Sequence, residues 1–262
     1  MQQCMERGRN EKDMSNRLRL IDTIRGITIL SMIGFHTCWD LCYFGMGISE
    51  ELLYGNKFYI WQQSICWTFI LIAGYSFSLG HHHLKRGLMA LGGGIIITLV
   101  TYFVVPDALD CFGVLWMTGS SILLMIPIDR LLCGREKLEN YFFFLLAAAL
   151  FVITKDINYG YLGFEGHEIV ALPSRLYSGH FMTYLGFMDP GFYSSDYFSL
   201  IPWFFLFTAG YFLNKMLKET FFEKKVLTIG FRPLEFIGRH SLIIYMLHQV
   251  VIYGVLYIVS IL

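Results

Sequence analysis

Apolar residues in this chain gather into blocks long enough to cross a lipid bilayer, and very few folds accept that pattern. A spanning helix needs about 20 predominantly apolar residues, whereas soluble strands and amphipathic helices interrupt such runs every few positions. The blocks fall at roughly 20–44, 58–80, 87–106, 112–133, 140–155, 198–217 and 236–262. The fifth is short, but Tyr141 to Ile153 contains no charge. Inside hydrocarbon the backbone must satisfy its own hydrogen bonds, so blocks of this kind become helices. The expectation is an all-α integral membrane helical bundle of about seven transmembrane helices. Composition agrees: 55% of residues are hydrophobic and only 15% charged, against about 25% charged in soluble domains. The net charge of zero gives no sign of a nucleic-acid partner.

Basic residues set the orientation, because they concentrate on the cytoplasmic side. With the N-terminus cytoplasmic, that side holds Arg7, Arg9, Lys12, Arg17 and Arg19, then Lys85, Arg86, Arg130, Arg135 and Lys137, then Lys215, Lys218, Lys224, Lys225, Arg232 and Arg239. Lys57, Lys155 and Arg175 fall outside. Residues 1–19 are polar and charged, a cytoplasmic tail rather than the apolar core of a signal peptide. One external segment is long, about residues 156–197. Such loops are usually functional or partly structured, and Glu168 to Phe187 is a candidate for a short or re-entrant helix.

The first block, LIDTIRGITILSMIGFHTCWDLCYFG, carries Asp22, Arg25, His36 and Asp40. Ionisable groups within a span are costly and mark function by default. At 100° per residue, with Asp22 at zero, Arg25 falls at roughly −60°, His36 at roughly −40° and Asp40 near 0°. The four share one stripe, and the rest of the surface is apolar or small. His36 and Asp40, four residues apart, are placed to meet. A carboxylate on one imidazole nitrogen fixes the tautomer and makes the other nitrogen a better base. The structural alternative is that Asp22 and Arg25 pair at the headgroups and His36 bonds between helices. In the last block, Ser241, Tyr245 and His248 fall on one helical face, so His248 is a second candidate for the same cavity.

Weaker signals point mostly to structure. Cys4, Cys38, Cys42, Cys66, Cys111 and Cys133 show no metal-ligand spacing and read as small buried residues. His81, His82 and His83 point different ways on a helix and read as a polar edge rather than a metal site. Gly92, Gly93 and Gly94 indicate close helix packing or a local break. Glu165, His167 and Glu168 read as solvated loop residues. Trp61, Trp67 and Trp203 fit an interfacial aromatic belt. No metal is expected.

The run IDTIRGITILSMIGFHTCWDL, with ten residues between Arg25 and His36, resembles the first helix of transmembrane acyltransferases. FILIAGYSFSL (69–79), CFGVLWMTGSSIL (111–123), DYFSLIPWFFLFTAGYFL (196–213) and FIGRHSLIIYMLHQ (236–249) extend the likeness in order along nearly the whole chain. The branch it resembles is the heparan-alpha-glucosaminide N-acetyltransferase catalytic-domain family, with its bacterial relatives. The resemblance implies one transmembrane acyltransferase domain over 20–262 in the cell membrane. It would move an acyl group, commonly acetyl from acetyl-CoA on the cytoplasmic side, to a hydroxyl or amine of a sugar or glycoconjugate acceptor. It also implies a catalytic role for His36 and a CoA-side role for Arg25. Relatives often have FGILH where this chain has FGVLW, so Trp116 replaces a histidine and the acceptor need not be the same.

The chemistry is compatible with that resemblance. Arg25 with its basic neighbours suits phosphates, and it lies roughly 16 Å along the helix from His36, comparable with a pantetheine arm. His36, backed by Asp40, is suited to act as a general base or as an acyl carrier, and the sequence leaves both open. A proton-coupled transporter or flippase using the same Asp/Arg/His stripe is the rival from another class. It lacks support from any internal repeat. A helical scaffold without chemistry would tolerate conservative swaps such as His36→Gln.

Overall fold

The computed structural model describes residues 18–132 and 137–262. The tail basic residues Arg7, Arg9, Lys12 and Arg17, with Arg135, Cys4, Cys133 and the side chain of Lys137, lie outside the described residues. In chain order the helices are α1 (Arg19–Tyr43), α2 (Glu50–Leu53), α3 (Asn56–Phe77), α4 (His83–Val104), α5 (Val114–Leu131) and α6 (Lys137–Thr154). A hairpin of β1 (Tyr161–Phe164) and β2 (His167–Ala171) follows, then α7 (His180–Leu185), α8 (Leu200–Leu217), α9 (Arg232–Arg239) and α10 (Ser241–Ile261). Each of the seven expected blocks forms a helix of at least 18 residues.

Five helical stretches are long and apolar enough to cross a membrane: His83–Val104, Val114–Leu131, Leu138–Tyr159, Leu200–Leu217 and Ser241–Ile261. Helices α1 and α3 have the length, but their polar side chains lower the mean hydropathy. In α1 these are Asp22, Arg25, His36 and Asp40, and in α3 they include Gln62 and Gln63. The protein is therefore an all-α membrane helical bundle.

The chain divides into two compact units, one from the chain up to Phe69 together with Leu217–Leu262, the other from Ile70–Met216. In the second unit, glycines let helix backbones touch. A Cβ on Gly74 would lie 1.8 Å from the Phe207 carbonyl oxygen, and one on Gly210 would lie 2.0 Å from that of Leu71, so α3 and α8 meet backbone to backbone. Helices α4 and α5 pack in the same way. Gly94 faces Trp116, with 2.8 Å left for a Cβ, and the Trp116 indole N–H donates to Thr98 Oγ1 at 3.0 Å. Helix α4 runs unbroken through Gly92, Gly93 and Gly94, so they make no break; Gly94 packs against Trp116, while Gly92 faces open space. His83 opens the same helix with its ring stacked 4.0 Å from that of Phe77. Cys38, Cys42, Cys66 and Cys111 are free thiols and half-buried.

Three local expectations change. The stretch from Glu168 to Phe187 is not one re-entrant helix. It holds strand β2, a short 3-10 turn at Ser174–Leu176 and the six-residue α7. Glu165 and Gly166 both have positive φ (50° and 84°) and form the tight turn of the hairpin, with glycine at the second position, where such two-residue turns commonly carry it. Asp156 secures it by accepting from the Gly166 N–H at 2.7 Å. Glu165, His167 and Glu168 are thus turn and strand residues. Trp203 is buried against Phe151 and Phe198 instead of lying in a belt. The last block is two helices that divide at His240, because the amphipathic α9 packs against α1 while most of α10 presents apolar side chains outward.

At the α4–α5 connection, burial and the neighbouring Asp196 carboxylate push the Asp110 carboxyl up to about 8. The Asp110 main-chain N–H is tied to Thr101, and the Cys111 N–H to Ser194 Oγ at 3.0 Å. A carboxyl with a raised folded pKa holds its proton in the native state where the unfolded chain has released it. Stability is expected to fall as pH rises from about 4 toward 8. Thermal midpoints measured across that window should slope downward in the natural protein and be flatter in Asp110→Asn.

Candidate active site

The first unit assembles every residue that the sequence singles out for chemistry. Helix α1 turns Asp22 and Asp40 inward, both buried, while Ile27 and Leu30 are exposed. This is the polarity expected of a membrane helix with one functional face. The helix ends where Phe44 N–H bonds to the Asp40 carbonyl and Gly45 takes a positive φ of 68°, a glycine stop after the last turn.

At the N-terminal end of α1, Arg25 Nη1 donates to Asp22 Oδ1 at 3.0 Å and lies 3.5 Å from the Gly238 carbonyl of α9. Helix α9 is held close by glycines on both sides. A Cβ on Gly26 would sit 2.1 Å from the Leu234 carbonyl oxygen, and one on Gly238 would sit 1.9 Å from that of Asp22. The buried Glu235 carboxylate completes the junction, accepting from Arg19 at 2.7 Å and from Arg239 at 3.3 Å. Arg25 is therefore fixed where α1 and α9 cross.

Farther along α1, the His36 ring meets that of His248 on α10, edge to face, with centroids 4.9 Å apart. Tyr245 and His248 are the buried residues of α10, as their shared helical face requires. His248 Nδ1 lies 2.5 Å from the Tyr245 carbonyl oxygen. A carbonyl oxygen only accepts, so Nδ1 carries the proton and the lone pair of the neutral ring belongs to Nε2. That is a base oriented by a backbone carbonyl.

Asp40 takes a different partner from the expected one. Its two carboxylate oxygens accept from Gln249 Nε2 at 3.0 and 3.1 Å, and among the described residues no hydrogen bond joins it to His36. The physical reason is the neighbouring α10, whose amide donor reaches a carboxylate that must be satisfied once buried. The sequence places Gln249 beside His248 but does not reveal that it spans to α1. Gln249→Leu removes both donated bonds from a buried carboxylate and is expected to cost about 1–3 kcal/mol, read as a lower thermal midpoint in detergent.

Trp116, the departure from related sequences, lies in the second unit, where it fills the groove over Gly94. Among the described residues, no group of three or more His, Cys, Asp or Glu side chains is placed to hold a metal ion.

Residues 17–250 match the family described as heparan-alpha-glucosaminide N-acetyltransferase, catalytic. Comparison with curated proteins and with solved structures gives no match. The match takes in α1 with its polar stripe, the α9 crossing and His248 on α10, and it covers far more than half of the sequence. This chain belongs to the heparan-alpha-glucosaminide N-acetyltransferase catalytic-domain family.

Proposed function

We propose that this membrane acetyltransferase takes its acyl group from acyl-CoA, ordinarily acetyl-CoA, at the cytoplasmic end of α1 and delivers it to a hydroxyl or amine of a carbohydrate-type acceptor. The observation that carries this reading is the contact between His36 and His248, 4.9 Å between ring centroids, on the polar face of a chain that belongs to an acetyltransferase family. The N-terminus is cytoplasmic in this reading, as the distribution of basic residues supports, and the cell membrane is the location that the family likeness implies.

In this reading Arg25 faces the CoA phosphates at the inner end, where a guanidinium suits them better than an amine. The thioester lies roughly 16 Å farther along α1, at the level of His36. His248 Nε2 or His36 takes the proton as the acceptor oxygen or nitrogen attacks the thioester carbonyl. The new acyl bond forms, the carbon–sulfur bond breaks, and the proton passes to the departing thiolate of CoA. Transfer through an acylated histidine conserves the same atoms in two steps. Asp40, held by Gln249, fixes α1 against α10 so that the two imidazoles stay in contact.

The test is product analysis. Purified protein in liposomes is supplied with acetyl-CoA and, in turn, glucosamine and other sugars, and each acceptor is examined by mass spectrometry. Gain of one acetyl group by a sugar supports the proposal. Acetyl-CoA left intact with every acceptor, together with solute uptake driven by a proton gradient, would replace it with transport.

A further inference from the structure

The segment between α8 and α10 is short, basic and aromatic, and its outward side is not used by the chemistry. Both flanking helices are long and apolar enough to cross the membrane, so the segment returns to the bilayer surface at each end. It contains a π-helical turn at Phe222–Val226 and then α9. Pro233, in the first turn of α9, starts that helix where its missing N–H costs nothing.

Its inner side is committed. Leu227 and Glu235 are buried, the Leu20 N–H donates to the Leu227 carbonyl at 2.9 Å, and Phe231 N–H donates to Thr23 Oγ1 at 3.1 Å. Those bonds fix the strap against α1 and decide which side chains face away. The outward set is Phe221, Phe222, Ile229, Phe231 and Phe236, all exposed, interleaved with exposed Lys218, Lys224, Lys225 and Arg232.

Among the described residues, the acids of the segment, Glu219, Glu223 and Glu235, form no salt bridge with these cations. Glu235 is taken by Arg19 and Arg239, and Glu223 accepts from the Glu219 main-chain N–H. Among the described residues, none of Lys218, Lys224, Lys225 and Arg232 forms a salt bridge. Lys225 instead lies over the Phe221 ring, 5.8 Å from its centroid.

Aromatic rings with adjacent cations, held at the membrane surface by a span on either side, match an anionic leaflet. The rings enter the headgroup boundary and the cations meet lipid phosphates. We infer that the strap from Lys218 to Arg239 is a binding surface for anionic phospholipid headgroups. A soluble acidic partner would explain the lysines but would leave five large apolar side chains in water. A second copy of the chain would place the cations against one another.

The experiment uses the full chain in vesicles of phosphatidylcholine alone and of phosphatidylcholine with phosphatidylglycerol, and follows hydrogen exchange of the amides from 218 to 240. Exchange is expected to slow in the anionic vesicles and to recover at high salt, because the contact is screened. Each exposed cation near an anionic surface contributes about 1 kcal/mol, so Lys224→Gln and Lys225→Gln should each weaken the protection about fivefold. Phe221→Ser tests the aromatic half and should weaken protection without changing its salt dependence. Equal exchange in the two vesicles would overturn the inference. So would unaltered protection in the Lys224→Gln/Lys225→Gln variant, or protection that follows protein density rather than lipid charge. Amides within α10 serve as the control that each variant is folded.

Discussion

His36→Ala is expected to lower acetyl transfer by about 10²–10⁴-fold, the range typical of a lost acid–base group, with little change in thermal midpoint. The expectation follows from where the ring lies. It is half-buried and meets the rings of His248 and Phe35 edge to face, so its loss removes one imidazole without unpacking a core. His36→Gln should fare no better, since an amide neither titrates nor carries an acyl group. A mutant that retained full turnover would shift the chemistry to His248, whose Nδ1 is already oriented by the Tyr245 carbonyl. His248→Ala then becomes the informative partner. If the two imidazoles act as one unit, the double mutant should be scarcely worse than either single mutant.

Gly238→Ala is expected to give one of the largest losses of stability among conservative changes, about 3 kcal/mol, at the top of the usual range for overpacking. A methyl group there would lie 1.9 Å from the Asp22 carbonyl oxygen and 3.1 Å from the Gly26 nitrogen. Both are helix backbone, which cannot rotate away as a side chain would, so α9 must move off α1. That shift also disturbs Arg25, 3.5 Å from the Gly238 carbonyl, and pulls Glu235 away from Arg19. Thermal unfolding in detergent measures the first effect. A raised apparent KM for acetyl-CoA beside a smaller change in kcat would report the second. Asp22→Asn, which leaves the crossing intact, separates the two.

Much of this was legible in the sequence because hydrocarbon permits so few solutions. The position of each long helix follows from the length of its predominantly apolar run, and the inward face of α1 follows from the angular agreement of Asp22, Arg25, His36 and Asp40. The meeting of His36 with His248 followed less directly, from two polar stripes that each needed a partner. What escaped was specified by contact between distant segments. The α1–α9 crossing depends on Gly26 and Gly238, which look like ordinary glycines until their backbones meet. Asp40 has a histidine four residues away and an amide on another helix, and sequence spacing favours the first while packing supplies the second. The hairpin after α6 was hidden because its strands are only four and five residues long. Its one clear signal was the Glu165–Gly166 pair.

The most direct measurement is release of free CoA by the purified protein in liposomes, with acetyl-CoA supplied, with and without a sugar acceptor, alongside His36→Ala. Acceptor-dependent release that disappears in His36→Ala is the expected result and would place acetyl transfer at the junction of α1 and α10. Undiminished release by His36→Ala, or no binding and no turnover of acetyl-CoA with any acceptor, would contradict it.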